Sequence, residues 1–121
     1  MQNLEQIRAA YALTVAKKTK KAEVSKMPAM ILANGLLAAA AFALEKSKEG
    51  PKRPGMAEVL EGVAIHLQKP VHGLTVLKDT TNAETMLRAL TEKGSSAELQ
   101  RATSEALAFI GFVKRFAQKD D

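Results

Sequence analysis

The sequence predicts an all-α fold, a single compact bundle of about five to six helices formed by residues 1–121. Apolar residues recur at helical spacing along most of the chain. Polar residues with the spacing of helix caps precede several of these stretches, and no stretch is convincing as a strand. With 121 residues and no cysteine, the chain is long enough to bury a core without a disulfide or a structural metal.

The first predicted helix follows Asn3, which has the capping-box spacing to Gln6. Its apolar face is formed by Leu4, Ile7, Tyr11 and Val15, and the opposite face carries Lys17, Lys20 and Lys21. Lys18 falls on the apolar side, so either its side chain snorkels or the helix ends near it. Leu13 points outward among polar neighbours.

Residues 28–44 form the most apolar segment and contain one polar side chain, Asn34, followed by Gly35. The segment is too short and too rich in alanine to span a membrane, for which about 20 strongly apolar residues are needed. We therefore predict the buried central helix of a bundle in a cytoplasmic protein. Glycine inside a helix costs about 1 kcal/mol relative to alanine, and a close-packing point at Asn34 and Gly35 would explain it.

Three further helices are predicted after a loop at residues 45–55. One contains the apolar residues of 56–67 and ends before Pro70. Residues 70–80 fit either a short helix from about Leu74 or an extended connection. The second of these helices begins at a capping box of Thr81 and Glu84 and ends near Gly94. The third begins at a capping box of Ser95 and Glu98 and ends near Gln118. The last helix has an inner apolar stripe of Leu99, Ala102, Ala106, Ile110, Val113 and Ala117, widened by Phe109 and Phe116.

Positive charge is concentrated in the first half of the chain. Residues 1–53 contain ten lysines and arginines against four acidic residues, whereas the remainder contains eight against nine. One basic face on an otherwise balanced protein is typical of a protein that binds nucleic-acid phosphates. A solvated helix face that only maintains solubility explains the same pattern.

No arrangement of residues predicts catalysis or a bound metal. With two histidines and no cysteine, His66 and His72 are expected at surface or capping positions, and no cofactor is predicted. Glu58 and Glu61, with His66, could form a ligand-binding or enzymatic bundle, but without a Glu-x-x-His motif a solvated face is the better interpretation. The aromatic residues suit helix packing, so no base-stacking platform is expected; they are Tyr11, Phe42, Phe109, Phe112 and Phe116.

Three stretches resemble a known family. Residues 26–31, 34–37 and 41–42 ("KMPAMI", "NGLL" and "AF") resemble the signature of the small subunit of the type III-B (Cmr) CRISPR effector complex. Residues 3–12 ("NLEQIRAAYA") resemble the first helix of that family, and residues 105–118 ("EALAFIGFVKRFAQ") resemble its last.

The resemblance implies a non-catalytic helical protein whose copies stack along the filament of guide RNA and target RNA, beside the backbone subunits. It also implies that the basic surface faces the RNA. Combined with the charge pattern, this predicts the RNA-binding residues Arg8, Lys17, Lys18, Lys20, Lys21, Lys26, Lys52 and Arg53. Leu13, Phe112 and Phe116 are predicted subunit contacts, although the two phenylalanines could equally close the end of the bundle. The alternative is another helical nucleic-acid-binding adaptor or the small subunit of a related CRISPR complex.

Overall fold

Helices account for most of residues 2–118, the part of the chain that the computed structural model describes. The α-helices are α1 (Leu4–Ala16), α2 (Lys21–Val24), α3 (Met27–Asn34), α4 (Leu36–Ala43), α5 (Pro54–Leu67), α6 (Ala83–Glu92) and α7 (Ser96–Phe116). A two-residue hairpin pairs β1 (Lys46–Ser47) with β2 (Gly50–Pro51), and 3-10 helices at Pro70–His72 and Thr75–Leu77 connect α5 to α6. The predicted all-α class is confirmed.

Helices α5 and α7 form the centre of the molecule. Helix α7 packs against α1, α2, α3 and α5, and α5 packs in addition against α1, α2, α4 and α6. Their facing sides are almost fully buried, with Val59, Val63 and Leu67 of α5 and Phe109 and Ile110 of α7 at no more than 1% exposure. One continuous apolar core results, to which every α-helix contributes.

Local signals predicted α1 and the start of α7 correctly. Asn3 and Gln6 form the predicted capping box of α1, and Ser95 and Glu98 form that of α7. Helix α1 ends at Ala16, so the chain turns before Lys18 would have entered the apolar side. These pairs lie within three residues of each other, and their geometry depends on little else.

The prediction of one buried helix over residues 28–44 is wrong. The segment divides into α3 and α4 at Gly35, whose φ is 89°. Much of it faces outward, and the side chain of Leu32 is 74% exposed. Gly35 is not a close-packing point either, because a Cβ placed there would meet no heavy atom within 4 Å. Alanine gains little from burial, so an alanine-rich segment is not forced into the core.

Two smaller predictions also need correction. Helix α6 is capped one residue later than predicted, by Asn82 with Thr85 instead of Thr81 with Glu84. Residues 45–55 contain the small hairpin that the sequence did not indicate, and α5 begins at Pro54. Within the described part of the chain, none of the helices combines the length and apolarity that crossing a membrane requires.

Candidate nucleic-acid interface

Most of the predicted RNA-binding lysines lie at the corner between α1 and α3, which we call the lysine corner (residues 17–26). Buried side chains of Thr19 and Val24 anchor this corner to the core, and the amide of Lys21 donates to the carbonyl of Gln118 over 2.9 Å. The anchored residues leave their lysine neighbours facing outward. Lys17, Lys18, Lys20 and Lys26 are exposed, and Lys21 is half-buried.

A second group of predicted residues meets in a cleft, although they are separate in sequence. Lys26, at the start of α3, lies across from Lys52 and Arg53, which precede α5. They line a cleft of about 530 Å³ together with Phe42 at the end of α4. We call it the Arg53 cleft. The hairpin reverses the chain between α4 and α5. It therefore brings the end of α4 beside the start of α5.

The guanidinium of Arg53 is fixed in this cleft by three contacts. Its Cζ lies 3.5 Å from the centroid of the Phe42 ring, a cation–π stack. Its Nη1 donates to the carbonyl of Phe42 over 2.9 Å and to Oε1 of Glu45 over 2.8 Å. Lys52 lies farther from the same carboxylate, with 4.0 Å between Nζ and Oε2 of Glu45.

Arg8 and Lys18 lie apart from the Arg53 cleft. Arg8 donates from Nε and Nη2 to the two carboxylate oxygens of Glu105, each over 2.7 Å. Its guanidinium is therefore already engaged by an anion. Lys18 lines a small cleft of about 150 Å³ between α1 and α5, beside Glu58 and Glu61.

The predicted subunit contacts differ in exposure. Leu13 is 50% exposed and Phe116 is 39% exposed, so both present apolar surface to solvent. Phe112 is half-buried against the core, with its ring centroid 6.0 Å from that of Phe116. Among the large apolar side chains of residues 2–118, the most exposed is Leu32 of α3 at 74%, which had been expected in the core and was not predicted as a contact.

The grouping of Glu58, Glu61 and His66 does not form a site. Oε1 of Glu61 accepts from the amide of Ala83 over 2.7 Å and so caps α6. Glu58 is exposed, while His66 is fully buried and faces α7. The prediction that His66 lies at a surface or capping position is therefore wrong.

A polar cluster that was not predicted from the sequence is formed by Arg8, His66, His72 and Glu105, of which His66 and Glu105 are buried and the other two half-buried. Nε2 of His66 lies 2.8 Å from Oε2 of Glu105, and Nδ1 of His72 lies 3.9 Å from Oε1. The His66 ring also stacks on Phe109 with 4.5 Å between centroids. The available signal was Glu105 itself, a carboxylate beside the predicted inner stripe of α7, because a charge in such a place needs a partner.

Burial and hydrogen bonding set the protonation of this cluster. Burial lowers the pKa of His66 to about 4, so its imidazole is neutral at pH 7 and Nε2 donates to Glu105. Burial also lowers the pKa of His72. For Glu105, burial raises the pKa, but hydrogen bonds from Arg8 and His66 offset this, and the pKa stays below its ordinary value. The cluster is thus one ionised pair, Arg8 with Glu105, surrounded by neutral histidines.

Within residues 2–118, the side chains of His66, His72 and Glu105 are a group that could hold a metal, with ligand atoms within 4.8 Å of one another. Two observations count against that role. Arg8 already neutralises both oxygens of Glu105. The outer nitrogens, Nδ1 of His66 and Nε2 of His72, find no hydrogen-bond partner in the described part of the chain, whereas metal-ligating histidines normally have one. The cluster fits a buried ion pair better than a metal centre.

Comparison with known proteins gives one family. Residues 3–120 match the family model described as CRISPR-associated protein (Cas_Cmr5). The match includes residues 46–102, which none of the three resembling stretches covers. No solved structure matches the chain.

Proposed function

Since the chain belongs to the Cas_Cmr5 family and is thereby a small subunit of the CRISPR Cmr complex, we propose that its copies stack along the filament of guide RNA and target RNA and contact the RNA backbone through the lysine corner. The observation that carries the proposal is the row of exposed lysines over residues 17–26, held outward by buried anchors. A Cmr complex works on RNA, and a basic surface on its small subunit is the natural place for backbone contacts.

The contacts we propose are with phosphates and carry no base sequence information. Lysine offers a flexible point charge, which suits a backbone whose phosphates differ in orientation. Neutralising phosphates releases counterions, so binding should weaken steeply with salt and depend little on sequence. The lysine corner and the Arg53 cleft contribute Lys17, Lys18, Lys20, Lys21, Lys26, Lys52 and Arg53. Arg8 contributes to the fold instead, because Glu105 holds its guanidinium.

Affinity in this proposal comes from assembly. A single subunit makes few phosphate contacts, so the free chain binds RNA weakly. Copies that are aligned along one strand act together, and each further copy adds an intramolecular contact. The partners are other Cmr subunits, namely the backbone subunits and further copies of this chain, and the guide and target RNAs. The site of action is the cytoplasm, and the subunit takes no part in bond cleavage.

The charge-reversal variant Lys17→Glu, Lys20→Glu, Lys21→Glu tests the proposal. We expect the assembled Cmr complex carrying it to lose target RNA at moderate salt, where the complex with the natural subunit retains it. A matched control reverses three exposed lysines elsewhere: Lys78, Lys93 and Lys114. Retention that is the same for both variants and the natural complex would show that the lysine corner does not face RNA.

A further inference from the structure

The Arg53 cleft has the parts of a base-stacking site. We propose that it binds one nucleobase of single-stranded RNA against the stacked pair of Arg53 and Phe42, with Lys26 and Lys52 facing the adjacent phosphates. The inference rests on the proposed function, since it assumes that RNA is the ligand of this surface. It adds a kind of contact that the lysine corner lacks.

The geometry of Arg53 is that of a preorganised stacking surface. One face of the guanidinium lies on the Phe42 ring, and Nη1 is bonded to the carbonyl of Phe42 and to Glu45. Both side chains line the cleft, and they remain 30% and 40% exposed, respectively. The surface left open to the cleft is therefore flat and fixed. Arginine planes and aromatic rings are the surfaces on which proteins stack unpaired RNA bases.

The charge of the cleft favours a base over a cluster of phosphates. Three cations, Lys26, Lys52 and Arg53, are balanced in part by two carboxylates. Glu45 pairs with Arg53, and Oε2 of Glu23 accepts from the amide of Gly55 over 3.1 Å inside the cleft. The carboxylate of Glu23 repels a phosphate from the interior, whereas a neutral base is not repelled. The phosphates then remain at the rim, near the two lysines.

Part of the cleft lining is apolar, and the cleft is large enough for one nucleotide. Met30, Pro54 and Met56 line it beside Phe42. Its volume of about 530 Å³ lies within the range of small-ligand sites, about 300–1,000 Å³. A base inside a duplex is stacked between its neighbours and cannot enter such a cleft. The ligand is therefore a nucleotide that is unpaired or turned out of the helix.

The test uses the full chain with a ten-nucleotide single-stranded RNA that carries 2-aminopurine, whose fluorescence is quenched by stacking. Binding is followed by fluorescence anisotropy at low salt and over a salt series. The variants are Arg53→Lys, which keeps the charge but loses the plane, and Phe42→Leu, which keeps an apolar side chain but loses the ring. Arg115→Lys, on an exposed part of α7, is the matched control. Thermal unfolding checks that each variant is folded.

We expect Arg53→Lys and Phe42→Leu each to weaken binding about ten-fold and to abolish the quenching, with the salt dependence unchanged. Lys52→Gln should lower the salt slope by about 0.7 and keep the quenching.

If the natural chain binds RNA without quenching and Arg53→Lys binds equally well, the stacking site is wrong and the proposed backbone contacts stand. If the natural chain shows no RNA binding even at low salt, this inference falls, whereas the proposed backbone contacts are decided separately by target-RNA retention in the assembled complex. Because Arg53 is at the surface, Arg53→Lys decides the outcome even if Phe42→Leu is unstable.

Discussion

Glu105 shows how a single residue connects distant parts of the fold. Its carboxylate receives Arg8 from α1 and His66 from α5, so one side chain holds two neighbouring helices against α7. Such a cluster contributes little net stability compared with apolar packing, but losing one partner is costly because the other is left as a buried charge. Arg8, which was predicted to bind RNA, is thus held in an ion pair within the protein, while its side chain remains 24% exposed.

Replacing Arg8 with methionine should lower the free energy of unfolding by about 2 kcal/mol, because Glu105 loses two charge-assisted hydrogen bonds at a site with little access to water. The double variant Arg8→Met, Glu105→Gln should recover part of that loss, since no unpaired charge remains. Urea unfolding at pH 7 measures both. If Arg8→Met leaves stability unchanged but weakens RNA retention by the Cmr complex, Arg8 belongs to the RNA-binding surface after all.

The cluster also predicts how stability depends on pH. The pKa of His66 is about 4 in the folded protein, against 6.5 for a free histidine. The unfolded chain therefore binds a proton at a higher pH than the folded chain, and acidification favours unfolding. Stability should begin to fall near pH 6.5 and lose about 3 kcal/mol by pH 4 from this residue. The lowered pKa of Glu105 adds a loss of the same sign at still lower pH.

Urea unfolding between pH 7 and pH 4.5 checks this expectation. The variant His66→Gln keeps a donor for Glu105 but cannot take up a proton, so its stability should change less over the same range. Equal pH dependence of the natural chain and His66→Gln would contradict the assignment. His72 and Glu105, whose pKa values are also lowered, contribute to the dependence that remains.

At the scale of helices, the accuracy of sequence interpretation followed the distance between interacting residues. Capping boxes at Asn3 and Ser95 involve neighbours three residues apart, and both were correctly predicted. The cluster around Glu105 was not, because its partners Arg8 and His66 are 97 and 39 positions away. The segment 28–44 failed for another reason. Its composition fits burial and partial exposure equally well, and only the turn at Gly35 decides between them.

Gly35 allows a direct test of the corrected interpretation. Its φ of 89° and ψ of 161° belong to a region that is essentially restricted to glycine. Gly35→Ala should therefore cost about 1–3 kcal/mol, although a Cβ at that position has open space. A residue inside a continuous helix would instead gain up to about 1 kcal/mol from the same change.

Gly111 is the matched control for this substitution. It lies within α7, and a Cβ there would also meet nothing within 4 Å. Gly111→Ala should therefore stabilise the protein by up to about 1 kcal/mol. Opposite signs for the two variants in urea unfolding confirm the turn between α3 and α4. If both variants are stabilised, the chain forms one helix across Gly35.

At the scale of the whole molecule, the proposed RNA-binding residues and the proposed subunit contacts are neighbours. Leu13 lies about one helical turn before Lys17, and Phe116 lies two residues before Gln118, whose carbonyl accepts from the amide of Lys21. Leu13 and Phe116 present apolar side chains at 50% and 39% exposure. The proposed function would therefore place RNA contacts and protein contacts side by side. The residues of both proposed surfaces were predicted from the sequence, but their grouping depends on the hairpin and on the end of α1, which only the fold places.

Measurements of stability and assembly test Leu13 as a subunit contact and separate the two roles left open for Phe116, a subunit contact or closure of the end of the bundle. Leu13 is 50% exposed, so Leu13→Ala should change the free energy of unfolding by no more than about 0.5 kcal/mol. Phe116→Ala should cost more, about 0.5–1.5 kcal/mol, because its ring also contacts that of Phe112. We expect both variants to reduce co-purification with the backbone subunits and with tagged copies of the natural chain.

Val71→Ala, at 55% exposure on the first 3-10 helix, controls for the loss of exposed apolar surface and should assemble normally. A larger loss of stability in Phe116→Ala with assembly intact would assign Phe116 to the end of the bundle. Intact assembly with unchanged stability would mean that the subunit contacts lie elsewhere, and Leu32, at 74% exposure on α3, would be the next side chain to truncate.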